Sequence, residues 1–259
     1  MIGVYFSGTG NTKYCIEKFF SLFDNTAEIF ALETAEALKA ITQHQDIILA
    51  YPVYYSNLPK IVRDFITENS DIWKEKRIFI IATMGLFSGD GAGLSARLLK
   101  KYGAQITGGL HVKMPDCICD VKALKRTYSQ NKQIIEQANE KLVLAAQKLK
   151  DGKATKEGLG FFYHLAGLFG QRLYFSNKTR QYSDKLRIDT NSCVGCGRCV
   201  TICPMNNITL YENKAIASNL CTMCYRCINQ CTQKSITLLG SKVIEQHSVN
   251  DFLCSSVIK

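Results

Sequence analysis

Met1-Ile-Gly-Val-Tyr-Phe-Ser7-Gly8-Thr9-Gly10-Asn11-Thr12 joins an apolar strand pattern at Ile2–Phe6 to a loop of glycines and hydroxyls. Directly after it, the stretch Asn11–Phe23 places Ile16, Phe19, Phe20 and Phe23 on one stripe, as an amphipathic helix requires. The same alternation continues outward. A second strand pattern covers Ala27–Leu32, with a short helix around Thr34–Ile41. Asp46–Tyr51 (DIILAY) is apolar throughout and is stopped by Pro52, and Leu58–Glu68 is a helix that tolerates Pro59 in its first turn. Lys76–Thr83 (KRIFIIAT) and Gln105–Val112 supply the fourth and fifth strands, with a helix over Leu94–Tyr102 between them. A long helix is predicted over Val121–Leu149, with Ile134, Ile135, Ala138, Leu142, Ala145 and Leu149 on one face and Gly152 as its stop. Strands with few polar residues that alternate with helices belong to a parallel sheet covered on both faces. The predicted fold class is therefore α/β for residues 1–150.

The loop Ser7–Thr12 carries the first chemistry. Backbone N–H groups and hydroxyl oxygens at the start of a helix can surround a phosphate. The P-loop pattern G-x-x-x-x-G-K-[ST] is absent. The dinucleotide fingerprint is absent too, because no third glycine follows Gly8 and Gly10 at the required spacing. A glycine-rich turn can also be empty. The strand–loop–helix context, with hydroxyls at 7, 9 and 12, favours the phosphate.

Twelve cysteines in 259 residues are the outlier of the composition, and eight of them fall between Cys193 and Cys231. A disulfide framework needs an exported chain. The opening MIGVYFSGTG has no basic n-region, so no signal peptide is expected, and no run is apolar enough to span a membrane. A cytoplasmic location follows as the expectation. Cys193-Val-Gly-Cys196-Gly-Arg-Cys199-Val-Thr-Ile-Cys203-Pro204 has the spacing C-x2-C-x2-C-x3-C-P of a bacterial ferredoxin. Cys221-Thr-Met-Cys224-Tyr-Arg-Cys227-Ile-Asn-Gln-Cys231 repeats it, ending in Thr232 where proline is usual. Fourth ligands are exchanged between such runs. The expected ligand sets are thus Cys193, Cys196, Cys199 and Cys231 for one [4Fe–4S] cluster, and Cys221, Cys224, Cys227 and Cys203 for the other. Zinc is the rival, but its sites use pairs of C-x2-C rather than two identical four-cysteine runs. The formal charge of +10 would ordinarily suggest nucleic acid. Two clusters at about −2 each and one phosphate ester reduce it to about +4, so no nucleic-acid partner is expected.

Ser7–Thr12 resembles the [ST]-x-T-G-N-T phosphate loop of flavodoxins, and residues 184–240 resemble a two-cluster bacterial ferredoxin. The whole chain is similar to a family of bacterial and archaeal fusion proteins with a flavodoxin-like N-terminal part and a ferredoxin C-terminal part. The resemblance implies strand order 2-1-3-4-5, with FMN at the carboxyl edge of strands 1 and 3. Cofactor contacts are then implied for Ser7, Gly8, Thr9, Gly10, Asn11 and Thr12. The loop after strand 3 adds Pro52, Val53, Tyr54 and Tyr55, and the loop after strand 4 adds Thr83, Met84 and Gly85. Tyr54 or Tyr55 is the expected ring partner, ahead of Phe87.

Around these lie an apolar connector at 151–183, expected to pack on one or both domains, and a tail at 241–259 expected to dock at an unspecified place. A membrane-surface helix is the lesser alternative for the connector. Cys117 and Cys119 are expected as free thiols near the flavin edge, His111 and His164 as structural, and Lys74–Arg77 as a solvated turn. No residue is needed as a catalytic acid or nucleophile. The expected function is electron transfer between clusters and FMN, with an acidic redox partner attracted to basic residues that include Arg198 and Arg226. Two rivals are an FMN-dependent reductase of a small electrophile and a docking module that has lost FMN.

Overall fold

The computed structural model describes residues 1–55, 57–86, 89–160, 162–163 and 182–253. Five parallel strands form one sheet in the order β2-β1-β3-β4-β5. They are β1 (Ile2–Tyr5), β2 (Ile29–Ala31), β3 (Asp46–Pro52), β4 (Arg77–Met84) and β5 (Gln105–Lys113). In register, Val4 pairs with Leu49, Leu49 with Ile80, and Ile80 with Gly109. One face is covered by α1 (Asn11–Phe23) and α5 (Tyr128–Lys150), which bury Ile16, Phe19, Phe20 and Leu142. The other is covered by α2 (Ala35–Gln43), α3 (Lys60–Glu68) and α4 (Gly91–Lys101). Ile41, Val62, Ile66, Trp73 and Leu99 are buried there. Every parallel crossover thus returns over an apolar face, the arrangement expected when both sheet faces are covered.

Two elements depart from the sequence expectation. The last helix begins at Tyr128, not near Val121, because Thr127 and Gln130 close a capping box and leave Lys122–Leu124 as a separate 3-10 turn. Lys76, expected in a solvated turn, is buried; its Nζ donates to the carbonyls of Thr42 (3.1 Å) and His44 (2.7 Å). It holds the C-terminal end of α2 to the start of β4. His111 is structural as expected, its Nε2 accepting from the Ala92 N–H at 3.2 Å.

The C-terminal unit pairs β6 (Arg187–Ile188) with β9 (Ile236–Thr237) and β7 (Ile208–Tyr211) with β8 (Lys214–Ala217), all antiparallel. Two short helices, α6 (Arg198–Ile202) and α7 (Arg226–Gln230), follow the two cysteine turns. Leu186, Ile208, Ile228, Ile236 and Leu238 form its core. Asp120, just beyond β5, joins this unit to the first. Its carboxylate accepts from the Tyr225 hydroxyl (2.9 Å) and from the N–H groups of Leu238 (2.7 Å) and Leu239 (3.0 Å). The tail returns to the first unit. The N–H of Ile244 donates to the Cys119 carbonyl at 2.8 Å, and α8 (Asn250–Leu253) packs on α5. The Phe252 ring lies 5.6 Å from Tyr128 and 5.4 Å from His247.

Of the connector, Thr155–Glu157 runs along the free edge of β5, with the Gly109 N–H donating to Thr155 (2.8 Å) and the Glu157 N–H to Gly109 (2.9 Å). His164 and most of the connector, Phe87 and Cys254 lie outside the described residues. Among the described residues, no helix is long and apolar enough to cross a membrane.

Candidate cofactor sites

A cavity of about 290 Å³ opens at the carboxyl ends of β1, β3 and β4. Ser7–Thr9, Asn11 and Thr12 line it from the first loop, Pro52–Tyr55 from the second and Thr83–Leu86 from the third. Gly10 is the one expected residue that does not line it. Its left-handed φ of 98° starts α1, and a Cβ there would lie 3.0 Å from Val249 of the tail. The three loops are tied together: Thr12 Oγ1 and Thr83 Oγ1 are 2.8 Å apart, and the Val53 N–H donates to the Thr83 carbonyl at 2.7 Å. Asn11 Nδ2 joins the first loop to the segment after β5 by donating to the Pro115 carbonyl at 2.7 Å. The Thr12 hydroxyl is therefore already engaged. Ser7 Oγ is buried with no hydrogen-bond partner among the described residues, so an acceptor in the cavity would satisfy it. The helix N-terminus beside it favours an anion.

Of the remaining walls, only Cys117 was expected near the flavin. Met114–Ile118, after β5, close one side, and Met223 and Tyr225 come from the second cysteine run. Gly85 lets the Asp116 carboxylate come close, since a Cβ there would approach Oδ2 to 2.7 Å. Burial pushes the Asp116 carboxyl above its ordinary range, opposed by a hydrogen bond from the Ile118 N–H and the charges of Arg126 and His247. Burial likewise pushes the Cys117 thiol well up, leaving it protonated. Tyr54 hydrogen-bonds Asn57 through its backbone. Tyr55 has a positive φ of 51° and stacks on Tyr182 with ring centres 6.2 Å apart.

Two smaller cavities of about 20 Å³ lie in the C-terminal unit. One is lined by Cys203, Cys221, Cys224 and Cys227, the other by Cys193, Cys196, Cys199 and Cys231 together with Cys227, which borders both, so each cavity holds thiols of both runs. Among the described residues, no three His, Cys, Asp or Glu side chains converge as they would around a single metal ion; each quartet surrounds a space. Backbone N–H groups point at the sulfurs: Asn207 to Cys203 (3.3 Å), Met223 to Cys221 (3.3 Å) and Ala215 to Cys193 (3.5 Å). Burial pushes Cys221 up to about 12 and Cys224 to about 11. Thiolates there require a compensating positive centre, which iron supplies.

The inner quartet abuts the first loop. A Cβ on Gly8 would sit 2.0 Å from the Cys224 carbonyl oxygen, so only glycine allows this approach. The Arg226 guanidinium donates to the Ser7 carbonyl (2.7 Å), the Glu33 carboxylate (2.6 Å) and the Ile202 carbonyl (3.2 Å). Arg198, its counterpart in the first run, bonds Gln230 alone among the described residues, on the exposed side. The two arginines, equivalent in sequence, are not equivalent in place.

Residues 2–117 match the model of the flavodoxin domain, and residues 185–208 and 218–234 each match a 4Fe–4S binding domain. The chain is thus a flavodoxin domain joined to a ferredoxin-type 4Fe–4S region, and its cofactors are FMN and two [4Fe–4S] clusters. Among solved structures it is similar to two-electron reduced Megasphaera elsdenii flavodoxin, at 20% identity over 57% of this chain and 99% of that one, with a TM-score of 0.40. The Trp repressor binding protein from Bacillus subtilis is also 20% identical, over 57% and 97%, with a TM-score of 0.43. A flavodoxin from the domain Archaea is 16% identical over 57% and 97%, with a TM-score of 0.40. A search of curated proteins gives no match. The donor sets fit these groups: an unpartnered buried hydroxyl at a helix N-terminus for the phosphate, and four thiols around each small cavity for the clusters.

Proposed function

We infer that this protein carries electrons between its two clusters and FMN, linking a one-electron donor to a redox partner. The observation that supports it most directly is the Gly8–Cys224 approach, which sets the flavin cavity against the inner cysteine quartet with no side chain between their backbones. FMN exchanges one or two electrons and a [4Fe–4S] cluster one at a time. The protein's part is to hold and space them. Ser7, Gly8, Thr9, Asn11 and Thr12 would hold the phosphate, while Pro52–Tyr55 and Thr83–Gly85 would border the ring. Cys203, Cys221, Cys224 and Cys227 would ligate the inner cluster, and Cys193, Cys196, Cys199 and Cys231 the outer one. The outer quartet lies nearer solvent, with Cys196 exposed and Val194 63% exposed, and Arg198 stands beside it. That face suits an acidic redox protein as donor or acceptor. The described cysteines form no disulfide, which accords with a cytoplasmic setting. Anaerobic mixing of the holoprotein with a one-electron donor tests the route. Flavin bleaching should follow cluster reduction, and should be lost in Cys203→Ser and Cys231→Ser. Flavin that stays oxidised beside fully reduced clusters would sink the reading.

A further inference from the structure

Each cysteine run passes twice through left-handed backbone, at the residue before its second cysteine and the residue after it. In the first run both residues are glycines, Gly195 (φ 68°) and Gly197 (φ 73°). In the second they are Met223 (φ 60°) and Tyr225 (φ 58°). This backbone disfavours any residue with a Cβ, and bulky ones most. A loop that only wraps a cluster therefore calls for glycine at both places, as the first run has. The second run differs in its surroundings. Met223 and Tyr225 both line the 290 Å³ cavity of the flavodoxin domain and are only 6% and 3% exposed. Asp120 fixes the tyrosine by accepting from its hydroxyl at 2.9 Å. Strain that persists at a site marks a demand from the site rather than from the chain.

We propose that Met223 and Tyr225 are flavin-binding residues, so that the FMN site is completed by the iron–sulfur region and not by the flavodoxin domain alone. The proposal rests on the cavity being the FMN site. A thioether and a phenol ring are the side chains suited to pack on a flat aromatic system, and the Tyr225 hydroxyl is spent on Asp120 rather than on the phosphate loop. Their contribution therefore belongs to the ring and is shared by FMN and riboflavin.

The test titrates FMN and riboflavin into the flavin-stripped, cluster-replete full-length chain by flavin fluorescence, with iron and acid-labile sulfide counted in parallel. Met223→Gly should weaken both flavins by the same factor, about tenfold, the upper worth of one sulfur–aromatic contact. Iron and sulfide should stay at wild-type levels, because glycine suits the left-handed position. Met223→Leu should restore both affinities to within about threefold, and the visible circular dichroism of bound flavin should differ between the glycine variant and wild type. Affinities within twofold of wild type in Met223→Gly would overturn the proposal. So would a loss of flavin that only tracks a loss of iron and sulfide, since that marks a purely structural role. A wild-type chain that binds no FMN at all would overturn the reading of the cavity itself, and this proposal with it.

Discussion

Arg226 shows how much one side chain can depend on its place. Its guanidinium serves the Ser7 carbonyl and the Glu33 carboxylate across the boundary between the two units and the Ile202 carbonyl within its own, with Cζ 5.8 Å from the centre of the Phe6 ring. Arg226→Gln removes a charged donor from three acceptors at once. The expected cost is about 2 kcal/mol in urea unfolding of the holoprotein, and Glu33→Gln should cost less because Arg226 keeps its carbonyl partners. An unchanged unfolding midpoint in Arg226→Gln would refute this. His111 gives a pH dependence. Burial pushes its imidazole down to about 4, against the pull of Glu157. The folded chain thus binds this proton more weakly than the unfolded one. The stabilisation is complete above the unfolded value of about 6.5 and is lost as pH falls from there toward 4. Unfolding free energy should therefore fall by about 2–3 kcal/mol across that window, and His111→Gln, which keeps an acceptor for the Ala92 N–H, should flatten the slope.

Among the elements, α5 is the clearest case of a local rule deciding a boundary. Thr127 accepts from the Gln130 N–H while Gln130 reaches back to the Thr127 N–H. Thr127→Ala should destabilise the protein by about 1 kcal/mol, read as a lower denaturant midpoint with unchanged slope. Apolar spacing alone ran that helix back to Val121, because Val121 and Leu124 fall near the stripe; the cap, a T-x-x-Q pattern at 127–130, was the signal that outranks it. The strands were legible because a strand buried on both faces has almost no polar residues to confuse the pattern, as Ile47–Tyr51 and Ile78–Ala82 illustrate. Lys76 was misplaced for the converse reason. A charged residue reads as exposed unless its partners are known, and the carbonyls of Thr42 and His44 meet it only through the fold.

At the scale of the whole molecule, the phosphate loop and the cysteine runs were legible because their chemistry sits in consecutive residues. Of the other walls only Cys117, placed near the flavin edge by its position after the fifth strand, was legible, since Asp116 meets Met223 and Tyr225 only after two units dock. For Met223 and Tyr225 the signal in sequence was a comparison of the two runs, in which they occupy positions filled by glycine in the other. The docked arrangement also separates the two arginines by function. Reduction by an acidic protein donor should slow as salt rises, and Arg198→Glu should slow it further at low salt. Arg226→Gln should leave the salt dependence unchanged, because that charge is already paired with Glu33. A rate indifferent to both salt and Arg198→Glu would place the docking face elsewhere. The order of the walls along the chain carries one more consequence, for biosynthesis. A ribosome delivers the first loop more than two hundred residues before Met223, Tyr225 and the Val249 that lies against Gly10. The nascent flavodoxin domain meets the cell's FMN with one side of its cavity missing, and under the proposal above that side comes from the turn that wraps the inner cluster. Flavin would then bind more weakly until the cluster is in place, and iron-starved cells would accumulate this chain with less of its yellow colour as well as without its brown.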